Sequence, residues 1–83
     1  MAAWSAHTWY KVESENLLEV RYRLDTFKLD VIFRAATNYV YTYRNVSWGE
    51  FIAIMDAESK GGAFNRLIRS RPQLHPYKRR KAW

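Results

Sequence analysis

Apolar and polar residues alternate twice in quick succession near the start of the chain. In "LLEVRYRL", Leu18, Val20, Tyr22 and Leu24 fall on one side and Glu19, Arg21 and Arg23 on the other, the period of two that marks a half-buried strand. "FKLDVIF" repeats the pattern, with Phe27, Leu29, Val31 and Phe33 on one side and Lys28, Asp30 and Ile32 on the other. Asp25-Thr26 between the two predicts a turn, and so a hairpin. "AATN" offers a second turn, after which "YVYTYR" supplies a third strand of residue types that favour extended backbone.

The period then becomes helical. Ser47 followed by Glu50 predicts a capping box, in which each side chain satisfies the other residue's backbone N–H. Beyond it, Trp48, Phe51, Ile52, Ile54, Met55 and Ser59 form a stripe that can lie across one sheet face. "KGG" predicts the stop, with Gly61 or Gly62 in a left-handed C-cap. "AFNRLIRS" reads as a short second helix, with Phe64, Leu67 and Ile68 inward and Arg66 and Arg69 outward; Arg71-Pro72 ends it. The expected fold class is α+β: a three-stranded antiparallel β-meander with one capped helix packed on it, a short second helix and a basic C-terminal tail. Residues 1–13, with Trp4, His7, Trp9 and Tyr10, form an aromatic lead-in, 14–71 the domain, and 72–83 a tail with no core of its own.

Composition narrows the class. A chain of 83 residues, 48% hydrophobic and 17% aromatic, supports one small domain with one core. The absence of cysteine removes disulfides, thiolate zinc sites and cysteine nucleophiles, and fits a reducing compartment. Apolar runs such as "FIAIM" fall far short of the roughly twenty residues of a membrane span, and "MAAWSAHTWY" lacks the charged start of a signal peptide. The expectation is a cytoplasmic protein without membrane contact.

Charge adds a direction. The net charge of +6 divides unevenly: through Glu58 there are six basic residues against eight acidic ones, whereas from Ser59 onward there are eight basic residues and no acid. Such asymmetry points to a polyanionic partner for the C-terminal end.

At the joints between these elements the chain resembles the KTSC domain family, small domains found alone in bacterial and phage proteins and at the C-terminus of some lysyl-tRNA synthetases. The resemblance rests on "SENL", "KLDVIF", the Y-x-Y of Tyr39 and Tyr41, Val46 before the helix, and "AESKGGAFNRLIR", where Ser59, Gly61, Phe64, Asn65, Ile68 and Arg69 stand at the family's positions. Ser47 in place of a proline, Ala63 in place of an aromatic residue, and "RAATN" in place of a glycine-containing turn depart from the pattern. The resemblance implies the fold directly. For activity it implies only RNA binding, the one role raised for a family of unassigned function.

Three segments carry candidate chemistry. Tyr39, Tyr41 and Tyr43 share one strand face: either they lie beneath the helix as core, or they stand on the open sheet face beside Arg21, Arg23 and Arg34 as a base-stacking platform. "SKGGAFNR" offers either an ordinary cap or an anion-binding turn, with Lys60, Gly61, Gly62, Asn65, Arg66 and Arg69 around a phosphate and Arg71 close behind. The tail supplies Lys78, Arg79, Arg80 and Lys81 with Tyr77 and Trp83, a composition that attracts phosphate backbones without reading sequence. Isolated His7 and His75, and carboxylates without paired histidines, give no catalytic or metal-ligating set, so neither an enzyme nor a cofactor is expected.

The leading expectation is a non-enzymatic module that binds nucleic acid, RNA foremost, or another phosphate-bearing ligand through this basic C-terminal face. A protein-interaction module that docks on an acidic surface through its tryptophans, or a domain for a small nucleotide, are the alternatives.

Overall fold

The computed structural model describes residues 4–82. Five strands form one antiparallel sheet in chain order: β1 (Tyr10–Lys11), β2 (Leu17–Arg23), β3 (Lys28–Phe33), β4 (Ala36–Tyr43) and β5 (Tyr77–Lys81). Between β4 and β5 come α1 (Trp48–Asp56) and α2 (Lys60–Phe64), the latter running into a π-helical turn at Asn65–Arg69. Among the described residues, no helix is long and apolar enough to cross a membrane.

The expected α+β class and meander are present, but the meander has five strands rather than three. The lead-in supplies β1, whose Tyr10 and Lys11 pair with Val20 and Glu19. The tail supplies β5, which pairs along β4 from Tyr39↔Lys81 to Tyr43↔Tyr77. "YKRRK" shows no hydrophobic alternation because all five residues of this edge strand remain exposed. Backbone pairing and the preceding turn hold it instead. Arg44 N–H donates to the Pro76 carbonyl at 2.9 Å, and Asn45 Nδ2 donates to the Leu74 carbonyl at 3.2 Å. The buried His75 ring donates from Nδ1 to the Arg44 carbonyl at 3.0 Å and meets Glu50 Oε2 with Nε2 at 3.1 Å. Trp83 lies outside the described residues.

Both helices cover one face of the sheet. Tyr22 of β2 stacks on Phe51 of α1 with ring centroids 5.2 Å apart, and its hydroxyl donates to the Val46 carbonyl at 2.7 Å. Register places Val31 opposite Tyr41 and Leu29 opposite Tyr43, so the tyrosine row belongs to this inner face. The capping box forms as expected: Ser47 Oγ accepts from Glu50 N at 3.1 Å, and Glu50 Oε1 accepts from Ser47 N at 2.9 Å.

The glycines act differently from expectation. α1 ends at Asp56, with Ala57 as an extended C-cap, and Gly61 and Gly62 lie inside α2 rather than at a left-handed cap. A Cβ on Gly61 would come within 2.7 Å of Ser14 Oγ, so close approach of the 13–16 loop is what requires glycine there. Phe27 also departs from its expected strand position. It closes the β2–β3 turn with φ 54°, 56% exposed, while β3 begins at Lys28.

The face of the sheet away from the helices has its own buried centre. Asp30, in the middle strand, is 0% exposed. Its Oδ2 accepts from Arg21 Nε at 2.9 Å and Arg21 Nη2 at 2.6 Å, and its Oδ1 from Arg23 Nη2 at 2.8 Å and Thr42 Oγ1 at 2.6 Å. Burial pushes the Asp30 carboxyl up, but hydrogen bonds from Thr42 and Arg21 and the charge of Arg23 outweigh it and hold its pKa below the ordinary carboxylate value.

Because the folded pKa of Asp30 is depressed, the stability it contributes is complete above an unfolded value of about 3.9 and is lost as pH falls through the folded value. Asp30→Asn is expected to flatten the acid limb of a urea-denaturation series below about pH 4. At neutral pH the variant should lose about 3 kcal/mol, the low end for a broken buried pair, since the Arg21 and Arg23 side chains remain 25% and 29% exposed. Equal acid sensitivity in both proteins would assign that limb to other carboxylates. Phe27→Asn, which suits the left-handed region and removes an exposed ring, should stabilise the fold by up to about 1 kcal/mol in the same assay.

Candidate nucleic-acid interface

Cross-strand register gathers cations on the open face. Arg23 of β2 pairs with Lys28 of β3, Thr42 of β4 with Lys78 of β5, and Val40 of β4 with Arg80 of β5. Side chains directly opposite on antiparallel strands share a face at about 5 Å, so these groups stand side by side. Together with Arg44, all of these but Val40 line a concave surface of about 580 Å³ whose lining residues include six cations, Arg79 among them, and no carboxylate. Ion pairs among the described residues involve only Asp25, Asp30 and Glu50, so Lys28, Arg44, Lys78 and Arg80 remain unneutralised there.

An aromatic surface adjoins this concavity. Arg21, anchored by Asp30, lies over the Trp9 ring at 4.7 Å to the centroid. Trp9, Arg21, Val40 and Arg80 line a shallow groove there, with the Glu19 carboxylate also on its border. Charged groups and a planar ring thus occupy one face of the sheet, with one guanidinium already fixed against the ring.

The residues singled out from the sequence do not converge. Tyr39, Tyr41 and Tyr43 lie on the helix side, so they form no platform with Arg21 and Arg23. Arg34 is committed elsewhere, donating from Nε to the Ser14 carbonyl at 2.6 Å and from Nη2 to the Val12 carbonyl at 3.2 Å. Lys60, Gly61, Gly62 and Asn65 border a depression shared with Glu13, Glu15 and Glu58, whose charge opposes a phosphate. The Lys60 ammonium there donates to the Ala57 carbonyl at 3.3 Å, and Gly62 N–H is taken by Ser59 Oγ at 3.2 Å. Arg66 and Arg71 are exposed and apart from the cationic concavity, and Arg69 reaches over the Phe33 ring at 5.5 Å.

The tail residues separate by parity. Lys78 and Arg80 join the open face, while register puts Arg79 and Lys81 beside the tyrosines; the Arg79 guanidinium lies 4.4 Å from the Tyr39 ring centroid and also borders the cationic concavity. Sequence reasoning gave no role in this site to Lys28, Arg44 or Trp9. Parity with Asp30 and Thr42 marks Lys28 and Arg44 once the tyrosines are assigned inward; placing Lys78 and Arg80 beside them requires β5, which leaves no hydrophobic trace.

Comparison with known proteins agrees with this architecture. The KTSC domain family matches residues 13–71. A crystal structure of a KTSC domain protein from Yersinia pestis aligns with a TM-score of 0.72 at 26% identity, covering 92% of this chain and 97% of that one. No curated protein matches the chain. With the greater part of its length matched, β1 and β5 flanking the matched span, the chain belongs to the KTSC domain family.

Proposed function

We propose that the protein binds single-stranded RNA through the open face of its sheet. The observation that carries this reading is the concave surface formed around Arg23, Lys28, Arg44, Lys78 and Arg80, with no carboxylate among its lining residues. Converging cations attract a phosphate backbone because its binding releases condensed counterions. In this reading Lys28, Arg44, Lys78 and Arg80 neutralise phosphates, and Arg23, held by Asp30, sets the floor. Trp9 beside them offers a ring on which an unstacked base can lie, a contact available to single strands rather than to paired ones.

This arrangement favours affinity over sequence selectivity, because most of its contacts address the backbone. It also shifts the binding residues from the glycine turn to β5 and the strands beside it. Binding of a short single-stranded RNA, followed from about 50 to 200 mM salt, tests the assignment. The double variant Lys78→Ala/Arg80→Ala should bind at least about tenfold more weakly at the low-salt end, and its log–log salt slope should be shallower by about 1.4, the share of two phosphate contacts. Arg66→Ala/Arg71→Ala should leave affinity and slope nearly unchanged. If the first variant matches the parent across the series, the open face does not bind RNA.

A further inference from the structure

The helix side of the sheet holds a second concavity that the RNA reading does not use. It measures about 360 Å³ and is lined by Phe33, Tyr41, Tyr43, Tyr77 and Arg69, with Glu15 and Asn16 also bordering it. A volume of this size lies at the small end of the range for compact ligands, about 300–1,000 Å³. Its walls are aromatic: Tyr41 and Tyr77 lie 5.4 Å apart at 43°, and Phe33 meets Tyr41 edge-on at 5.0 Å.

Two polar groups in this groove lack a protein partner. Arg69 lies against the Phe33 ring, and no carboxylate pairs with it among the described residues. The π-helical turn carries Arg69 to this place; such turns recur at functional sites. Tyr43 is 3% exposed as a whole residue and lines the groove; its hydroxyl donates to no described residue and reaches the open space of the groove rather than lying fully buried, whereas that of Tyr22 donates to Val46. Burial pushes the Tyr43 phenol up to about 12 against the opposing charge of Arg69, so it remains a neutral donor in the neutral pH range.

We propose that this groove binds one nucleotide, with its base against Tyr41 and Tyr77, its phosphate on Arg69, and the Tyr43 hydroxyl donating to it. The aromatic walls call for a flat ring, and the unpaired guanidinium calls for an anion. The Glu15 carboxylate repels a phosphate from its part of the border. With Asn16 it offers acceptors for an exocyclic amino group, which adenine, cytosine and guanine carry and uracil lacks. The nucleotide is either a free monophosphate or the 5′-phosphorylated end of a strand, since both present the same chemistry. The site is independent of the open face, because Lys78 and Arg80 point to the opposite side of β5.

Titration with AMP, CMP, GMP and UMP, and with a 5′-phosphorylated tetranucleotide, followed by NMR of the tyrosine ring signals, tests the proposal. Saturable shifts at Tyr41 and Tyr77 are expected, with UMP the weakest of the monophosphates. Arg69→Gln should weaken binding at least about tenfold and Tyr43→Phe about fivefold, with urea midpoints confirming that both variants are folded. Lys78→Ala/Arg80→Ala should bind monophosphates as the parent does, which separates this site from the RNA face. Response to monophosphates assigns a free nucleotide. Response to the tetranucleotide alone, with the same dependence on Arg69, assigns a strand end. Absence of saturable shifts with every ligand, or binding indifferent to both Arg69→Gln and Tyr43→Phe, overturns the proposal.

Discussion

Asp30 holds together a sheet face that no helix covers. In a meander with both helices on one side, the other side would ordinarily carry dispersed polar residues with little order. Here a carboxylate in the middle strand accepts from Arg21 and Arg23 on one neighbouring strand and from Thr42 on the other, tying three strands through one buried group. The desolvation that this burial incurs is offset because both carboxylate oxygens are fully engaged by charged or hydroxyl donors. The bonds also fix the two arginines against the sheet. Nothing in this arrangement neutralises the surrounding Lys28, Arg44, Lys78 and Arg80, so the face retains a strong positive field over an ordered floor.

The central strands and the start of α1 were legible because their patterns record burial directly. Val20, Tyr22, Leu29 and Val31 alternate because one side of each strand meets Phe51, Ile54 and Phe64. Ser47 and Glu50 announce their cap because the two side chains act locally, without tertiary help. Phe27 misled for the opposite reason: an apolar residue in register with Leu29 invites an inward placement, but turn closure took its backbone into the left-handed region and turned the ring to solvent.

The edge strands were illegible for a physical reason as well. β1 is two residues long, and β5 buries no side chain, so pairing there depends on backbone groups that every residue carries. The charge count drew attention to the C-terminal end but could not distribute those charges between faces. Only the register does that. Likewise, "SKGGAFNR" has the composition of an anion-binding turn, and what alters its character is the proximity of Glu13 and Glu15, supplied by a loop more than forty residues earlier in the sequence.

β5 is consequently more than a sheet edge. Its residues alternate, Tyr77 toward the aromatic groove and Arg79 over the Tyr39 ring on one side, Lys78 and Arg80 toward the cationic face on the other, so a slip of one residue would exchange the two sets. In this exposed strand only Tyr77, packed against Tyr41 and Tyr43, offers a hydrophobic preference against such a slip. The turn before it supplies the rest of the resistance. His75 is fastened to the Arg44 carbonyl at the end of β4 and to the carboxylate of Glu50, which also caps α1, while Arg44 N–H meets Pro76. One glutamate therefore connects the start of the main helix to the phase of the edge strand, and through that phase to which side chains face each concavity.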